Sequence, residues 1–128
     1  MQLSGGLSYA RGVREGEGDR DLPEMPPLRS RLALRYAAKS WFAETEGVAA
    51  RAQHRVDSTL LETPTAGYAT WNVKAGIHSS RLRLAAGIDN LLDRFYHEHF
   101  SFQRDPFRTG VRVPEPGRAV FVTLGYGF

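Results

Sequence analysis

Hydrophobic and polar residues alternate along most of this chain. Between Leu28 and Ala38 the even positions are Leu28, Ser30, Leu32, Leu34 and Tyr36, and the odd ones Arg29, Arg31, Ala33 and Arg35. An extended strand sends two such sets to opposite faces. The period returns from Arg81 to Asp89, with Leu82, Leu84, Ala86 and Ile88 against Arg81, Arg83 and Asp89. It returns again at the end, with Val120, Val122, Leu124, Tyr126 and Phe128 against Phe121, Thr123, Gly125 and Gly127. Three weaker runs read the same way: Leu3 to Tyr9, Trp41 to Gln53, and Tyr68 to Ile77. Ala and Glu between Ala37 and Ala52 would also suit a helix, but Gly47 and the flanking period favour a strand. The chain is therefore predicted to be all-β, an antiparallel meander of about six strands with no significant helix.

The connections alternate as strictly as the strands. Gly12 to Pro27, His54 to Ala66 and Asn90 to Gly117 form long loops, while Lys39-Ser40 and His78-Ser79-Ser80 form tight turns. Long unstructured loops are unusual in a compact soluble domain. Transmembrane β-barrels have this signature, with short periplasmic turns and long outer loops. In a barrel, Arg29, Arg31 and Arg35 point into the lumen, where Glu44, Glu46 and Asp89 can pair with them. A charge on the lipid face at mid-depth would cost about 2–4 kcal/mol. Tyr9, Tyr36, Trp41, Tyr68, Tyr126 and Phe128 fall near strand ends, where interfacial girdles form. A soluble antiparallel sheet with one wet face has the same period, and the loop alternation is what separates the two.

Composition narrows the function classes. The 128 residues amount to one domain, and no second domain or linker interrupts them. The net charge of +3 is small and dispersed, which excludes a nucleic-acid surface. The chain lacks cysteine, so disulfides and thiolate metal sites are excluded. No stretch nears the roughly 18 apolar residues of a membrane helix. Met1 to Gly6 has neither a charged n-region nor an apolar h-region, so no signal peptide is expected. Ser8, Ser30, Ser58 and Ser101 lack a nucleophile-elbow setting, and no phosphate-binding glycine loop joins a strand to a helix. Neither an enzyme nor a resident cofactor is expected.

Two clusters carry candidate binding chemistry. His97 and His99 flank Glu98 and fall on one side of an extended segment; imidazoles suit copper, zinc and iron. The plainer reading is two solvated histidines at a loop base. Arg104 and Arg108 can attract an anionic substrate, since guanidinium binds carboxylates bidentately; pairing within the loop to Asp105 is the alternative. Asp89 and Asn90 are expected to cap the loop backbone.

Several short stretches resemble one family. Arg118 to Phe128 looks like the amphipathic last strand, ending in Phe, that outer-membrane proteins present to the barrel-assembly machinery. Ile88-Asp89-Asn90-Leu91-Leu92-Asp93-Arg94-Phe95-Tyr96 resembles the stretch before the last extracellular loop of TonB-dependent receptors, with Leu92 where that family usually has Phe. Pro116-Gly117-Arg118, Pro26-Pro27-Leu28 and Ala66-Gly67-Tyr68-Ala69-Thr70-Trp71-Asn72-Val73 resemble three other strand openings of the same family.

The resemblance implies that residues 1–128 are the C-terminal part of a receptor barrel of roughly 22 strands. The plug, the TonB box, the signal peptide and the earlier strands are then missing. Six strands cannot close in lipid, so the chain is expected to be a fragment or a truncated product, and Met1 inside a strand favours truncation. The implied function is import of a scarce nutrient, such as a metal–siderophore complex, a metal ion (iron or copper) or cobalamin. The implied location is the outer membrane of a Gram-negative-type bacterium. The implied partners are outer-membrane lipid, the assembly machinery reading Val122, Leu124, Tyr126 and Phe128, and the TonB complex through the N-terminal part. A porin, an autotransporter translocator or a soluble lipocalin-like cup are the alternatives. The terminal Phe and residues 90–93 argue against the last, and the long final loop ending in Pro-Gly-Arg against the other barrels.

Overall fold

A computed structural model describes residues 1–16, 20–60, 62–105 and 108–127. Among the described residues ten strands occur in chain order: β1 (Gln2–Ser8), β2 (Val13–Arg14), β3 (Arg20–Asp21), β4 (Arg29–Ala37), β5 (Trp41–Ala50), β6 (Tyr68–His78), β7 (Leu82–Asp89), β8 (Phe102–Asp105), β9 (Arg108–Arg112) and β10 (Ala119–Tyr126). Six of them make one antiparallel sheet in the order β1-β4-β5-β6-β7-β10. These are the six runs of alternating residues, within a few residues at each end. Helix among the described residues is confined to 3-10 turns at Ser58–Leu60 and His99–Ser101.

The register assigns the faces. Leu3 pairs with Leu34, Leu34 with Thr45, Thr45 with Val73, Val73 with Ile88, and Ile88 with Val120. Side chains two apart share a face, so this row fixes an apolar face across the whole sheet. Leu32, Tyr36, Trp41, Trp71, Ile77, Leu84, Val122, Leu124 and Tyr126 lie on it. No Asp, Glu, Lys or Arg of the six strands does. All those charges share the opposite face, where Arg31 pairs with Glu46, and Arg35 with Glu44 at 2.8 Å.

Neither face covers a core. The buried apolar residues among those described are Ala33, Val48 and Ala50, all on the charged face. Leu124 stays 68% exposed, Val122 67% and Leu32 59%. A soluble sheet would bury its apolar face against a second layer. This sheet leaves it bare and gathers polar groups on the other side, the polarity of a barrel wall in lipid.

Three glycines on the sheet sit beneath aromatic rings of directly paired residues: Gly76 beneath Phe42, Gly87 beneath Phe121, and Gly47 beneath Trp71. Such rings cover backbone that a glycine would leave bare, and they pin the register. The Arg35 guanidinium lies 4.3 Å from the Phe42 centroid, adding a cation–π contact on the polar face.

The long connections are more ordered than their composition predicts. The first contains the short β2–β3 hairpin and the last the β8–β9 hairpin. Tyr68 also departs from the girdle expected of it. It is on the charged face, stacked on Tyr96 with centroids 4.2 Å apart.

Candidate functional site

The charged face and the three long loops above it form one polar surface. The ladder between β6 and β7 runs from Val73↔Ile88 to His78↔Arg83, and beyond it one side-chain bond and one backbone bond continue the contact. Asn72 Oδ1 accepts the Asn90 amide at 2.9 Å, and the Leu91 amide donates to the Trp71 carbonyl at 2.7 Å. Asn90 then turns the chain into the last loop at φ 50°, a left-handed conformation that Asn tolerates. Its Nδ2 donates to the Arg94 carbonyl at 2.8 Å and the Pro116 carbonyl at 3.3 Å, while its Oδ1 accepts the Arg94 amide at 2.9 Å. Asp93, at φ 52°, accepts the Arg118 amide at 2.8 Å. The two ends of the last loop are thus tied to each other, so the expected cap at Asn90 is present and reaches across the loop.

Below this tie, a recess of about 360 Å³ is lined by Arg29, Tyr68, Asn72, Asp89, Asn90 and Tyr96 among others. The Tyr68 hydroxyl donates to Glu98 Oε1 at 2.5 Å, and Arg29 Nη1 lies 3.5 Å from the same oxygen. Deeper on the wall, a second recess of about 220 Å³ is lined by Arg31, Glu44, Glu46, Asn72, Lys74 and Asp89. Both present mixed charge and hydrogen-bonding groups, a surface suited to polar matter.

The loops meet around Glu62. This residue is only 5% exposed. Its carboxylate accepts the Glu24 amide at 3.0 Å and the Asp57 amide at 2.8 Å, and Oε1 lies 2.9 Å from His99 Nε2. A buried carboxylate needs such partners to offset its lost hydration. His99 Nδ1 is 2.8 Å from Thr65 Oγ1. The arrangement fits a neutral ring that accepts from the threonine hydroxyl at Nδ1 and faces the Glu62 carboxylate with Nε2. Burial holds the His99 pKa below its ordinary value, with Arg112 lowering it further and Glu62 opposing. Arg112 closes the cluster by donating to the His99 carbonyl at 2.8 Å and to the Thr63 carbonyl. On the other side Gln53 Nε2 donates to the Met25 carbonyl at 2.8 Å, and Gln53 exchanges backbone bonds with Thr65. Residues from all three loops therefore share one buried network.

The sequence-derived candidates fall into different settings. His99 is inside this network with both ring nitrogens beside protein groups. His97 is half-buried against Phe95, edge to face at 5.1 Å. Among the described residues no three His, Asp or Glu converge as a metal set. Arg104 lies in β8 and Arg108 opens β9, where it pairs with Asp105 in the ladder. Val122, Leu124 and Tyr126 line the bare apolar face of β10; Phe128 lies outside the described residues. Sequence reasoning missed Glu62, Thr65 and Arg112, which meet only through contacts between distant loops, and the bond from Tyr68 to Glu98.

A family model described as TonB dependent receptor-like, beta-barrel matches residues 1–91. Among solved structures, 26 chains match. One of them, titled "Copper transporter OprC", is 28% identical over 98% of this chain, with a TM-score of 0.84. The match covers 21% of that chain, so the present chain spans about a fifth of its length. No curated protein matches.

Proposed function

The chain belongs to the TonB-dependent receptor β-barrel family, and we propose that it is the C-terminal barrel portion of a receptor that imports a scarce nutrient across the outer membrane. The single observation that carries this reading is the complete separation of strand charges from the apolar face. A wall built that way meets lipid on one side and a polar lumen on the other. The long loops, tied together around Glu62, stand at the outer mouth, and the recesses below them line the route inward. Earlier strands and an N-terminal plug that engages the TonB complex complete the receptor in this reading, and the assembly machinery recognises Val122, Leu124, Tyr126 and Phe128.

A metal ion or metal chelate is the substrate class we favour, because the solved relative is titled a copper transporter. His97 and the pair Arg104 and Arg108 are the proposed contacts from this chain. His99 reaches a metal only if its loop network opens. The test is accumulation of copper and of ferric chelates at limiting concentration in cells with and without the intact protein. Uptake of one metal should fall when either the protein or TonB is removed. Unchanged uptake of both overturns the transport reading.

A further inference from the structure

The apolar face is not a uniform band. A groove of about 650 Å³ runs across β4–β7 and β10, floored by Ala43, Ala75 and Ala86 and walled by Leu34 and Tyr36 on one side and Ile88 on the other. That volume is within the range of about 300–1,000 Å³ found for small-molecule sites. At its Tyr36 end the ring meets Trp41, with centroids 5.1 Å apart. This end abuts the β4–β5 turn, which carries Lys39. The β6–β7 turn beside it carries Arg81. Two strand spacings separate the turns, about 10 Å. Neither turn contains an acid, and neither cation forms an ion pair with a described residue.

We propose that this groove and its two cationic turns bind an anionic glycerophospholipid of the inner leaflet. One acyl chain fills the alanine-floored groove, Tyr36 and Trp41 lie at the glycerol level, and Lys39 and Arg81 hold the phosphate. Short turns face the periplasm, so this rim meets the phospholipid leaflet. Exposed cations at a membrane surface select anionic headgroups. Tyrosine and tryptophan suit the boundary because each is apolar at one end and polar at the other. The inference goes beyond transport and rests on the lipid-facing assignment of the apolar face.

Trp41 reports on the site directly. The intact protein is reconstituted in bilayers that contain a minor share of phosphatidylglycerol with brominated acyl chains, or the same share of brominated phosphatidylcholine. Emission lost on Trp41→Phe isolates the signal from this ring. The anionic lipid should quench it more strongly, with an apparent preference of about fivefold or more, and Lys39→Gln with Arg81→Gln should abolish the preference. Equal quenching by both lipids in the unaltered protein overturns the site, as does a preference that survives in the double variant. Quenching by neither lipid overturns the lipid-facing assignment itself, and the proposed function with it.

Discussion

The ring of Phe121 covers Gly87 on the charged face: a Cβ on the glycine would meet ring Cε1 at 2.7 Å and the Val73 carbonyl oxygen at 2.9 Å. The ring can move aside, but the carbonyl belongs to the neighbouring strand and cannot. Gly87→Val should therefore impair assembly more than Phe121→Ala. The latter loses a cross-strand pair worth about 1 kcal/mol at most. Unfolding of the intact protein from detergent by urea checks both, and a Gly87→Val protein as stable as the parent would contradict the packing.

The face assignment predicts opposite outcomes at adjacent positions of β10. Val122→Arg puts a guanidinium into hydrocarbon and should cost about 2–4 kcal/mol near mid-depth. Thr123→Arg places the same group on the charged face and should be tolerated within about 0.5 kcal/mol, as most surface changes are. Folding free energies in lipid vesicles decide it, and equal costs would refute the assignment.

These faces were legible because one strand register repeats a single rule every second residue. Strand existence, the alternation of turns with loops, and the pairing of Arg31 and Arg35 with Glu46 and Glu44 all follow from it. Loop architecture obeys no such period. Glu62 and His99 are far apart in sequence, and nothing local marks them as partners; only the fold reveals that they share a buried contact. The β8–β9 hairpin escaped for a related reason, since Arg104, Asp105 and Arg108 interrupt its alternation. Tyr68 was misassigned to a girdle because nearness to a strand end does not say which face a residue occupies.

Asn90 offers a test of the loop base. Its Nδ2 donates to two carbonyls, a role that a carboxylate cannot fill. Asn90→Asp should cost about 1–3 kcal/mol, the range for leaving buried partners unsatisfied. Limited proteolysis should then cut the last loop faster. Asp93→Asn keeps a carbonyl oxygen for the Arg118 amide and should leave the digestion rate near that of the parent.

The buried His99 sets a pH dependence for the loop network. Its folded pKa is below the ordinary value of 6.5. As pH falls below about 6.5, the opened loop takes up a proton that the closed one resists. The contribution is therefore complete above that pH and declines as pH drops toward the folded value. Protection factors of the amides around Thr63, Thr65 and Arg112, corrected for the slower intrinsic exchange in acid, should fall between pH 6.5 and more acidic conditions. His99→Gln should flatten that dependence; an unchanged slope would mean that another group governs it.

The tie between Asn90 and Pro116, with its companion between Asp93 and Arg118, has a consequence for how the outer surface can vary. The ends of the last loop are held by groups at its root, so the root does not depend on what the loop carries between them. Segments of different length and chemistry can be exchanged there while β7 and β10 keep their register. The root works as a socket, and the residues between His99 and Arg112, which carry the buried network at either side, as a replaceable head. The sequence at the tip can therefore drift without re-engineering the wall beneath.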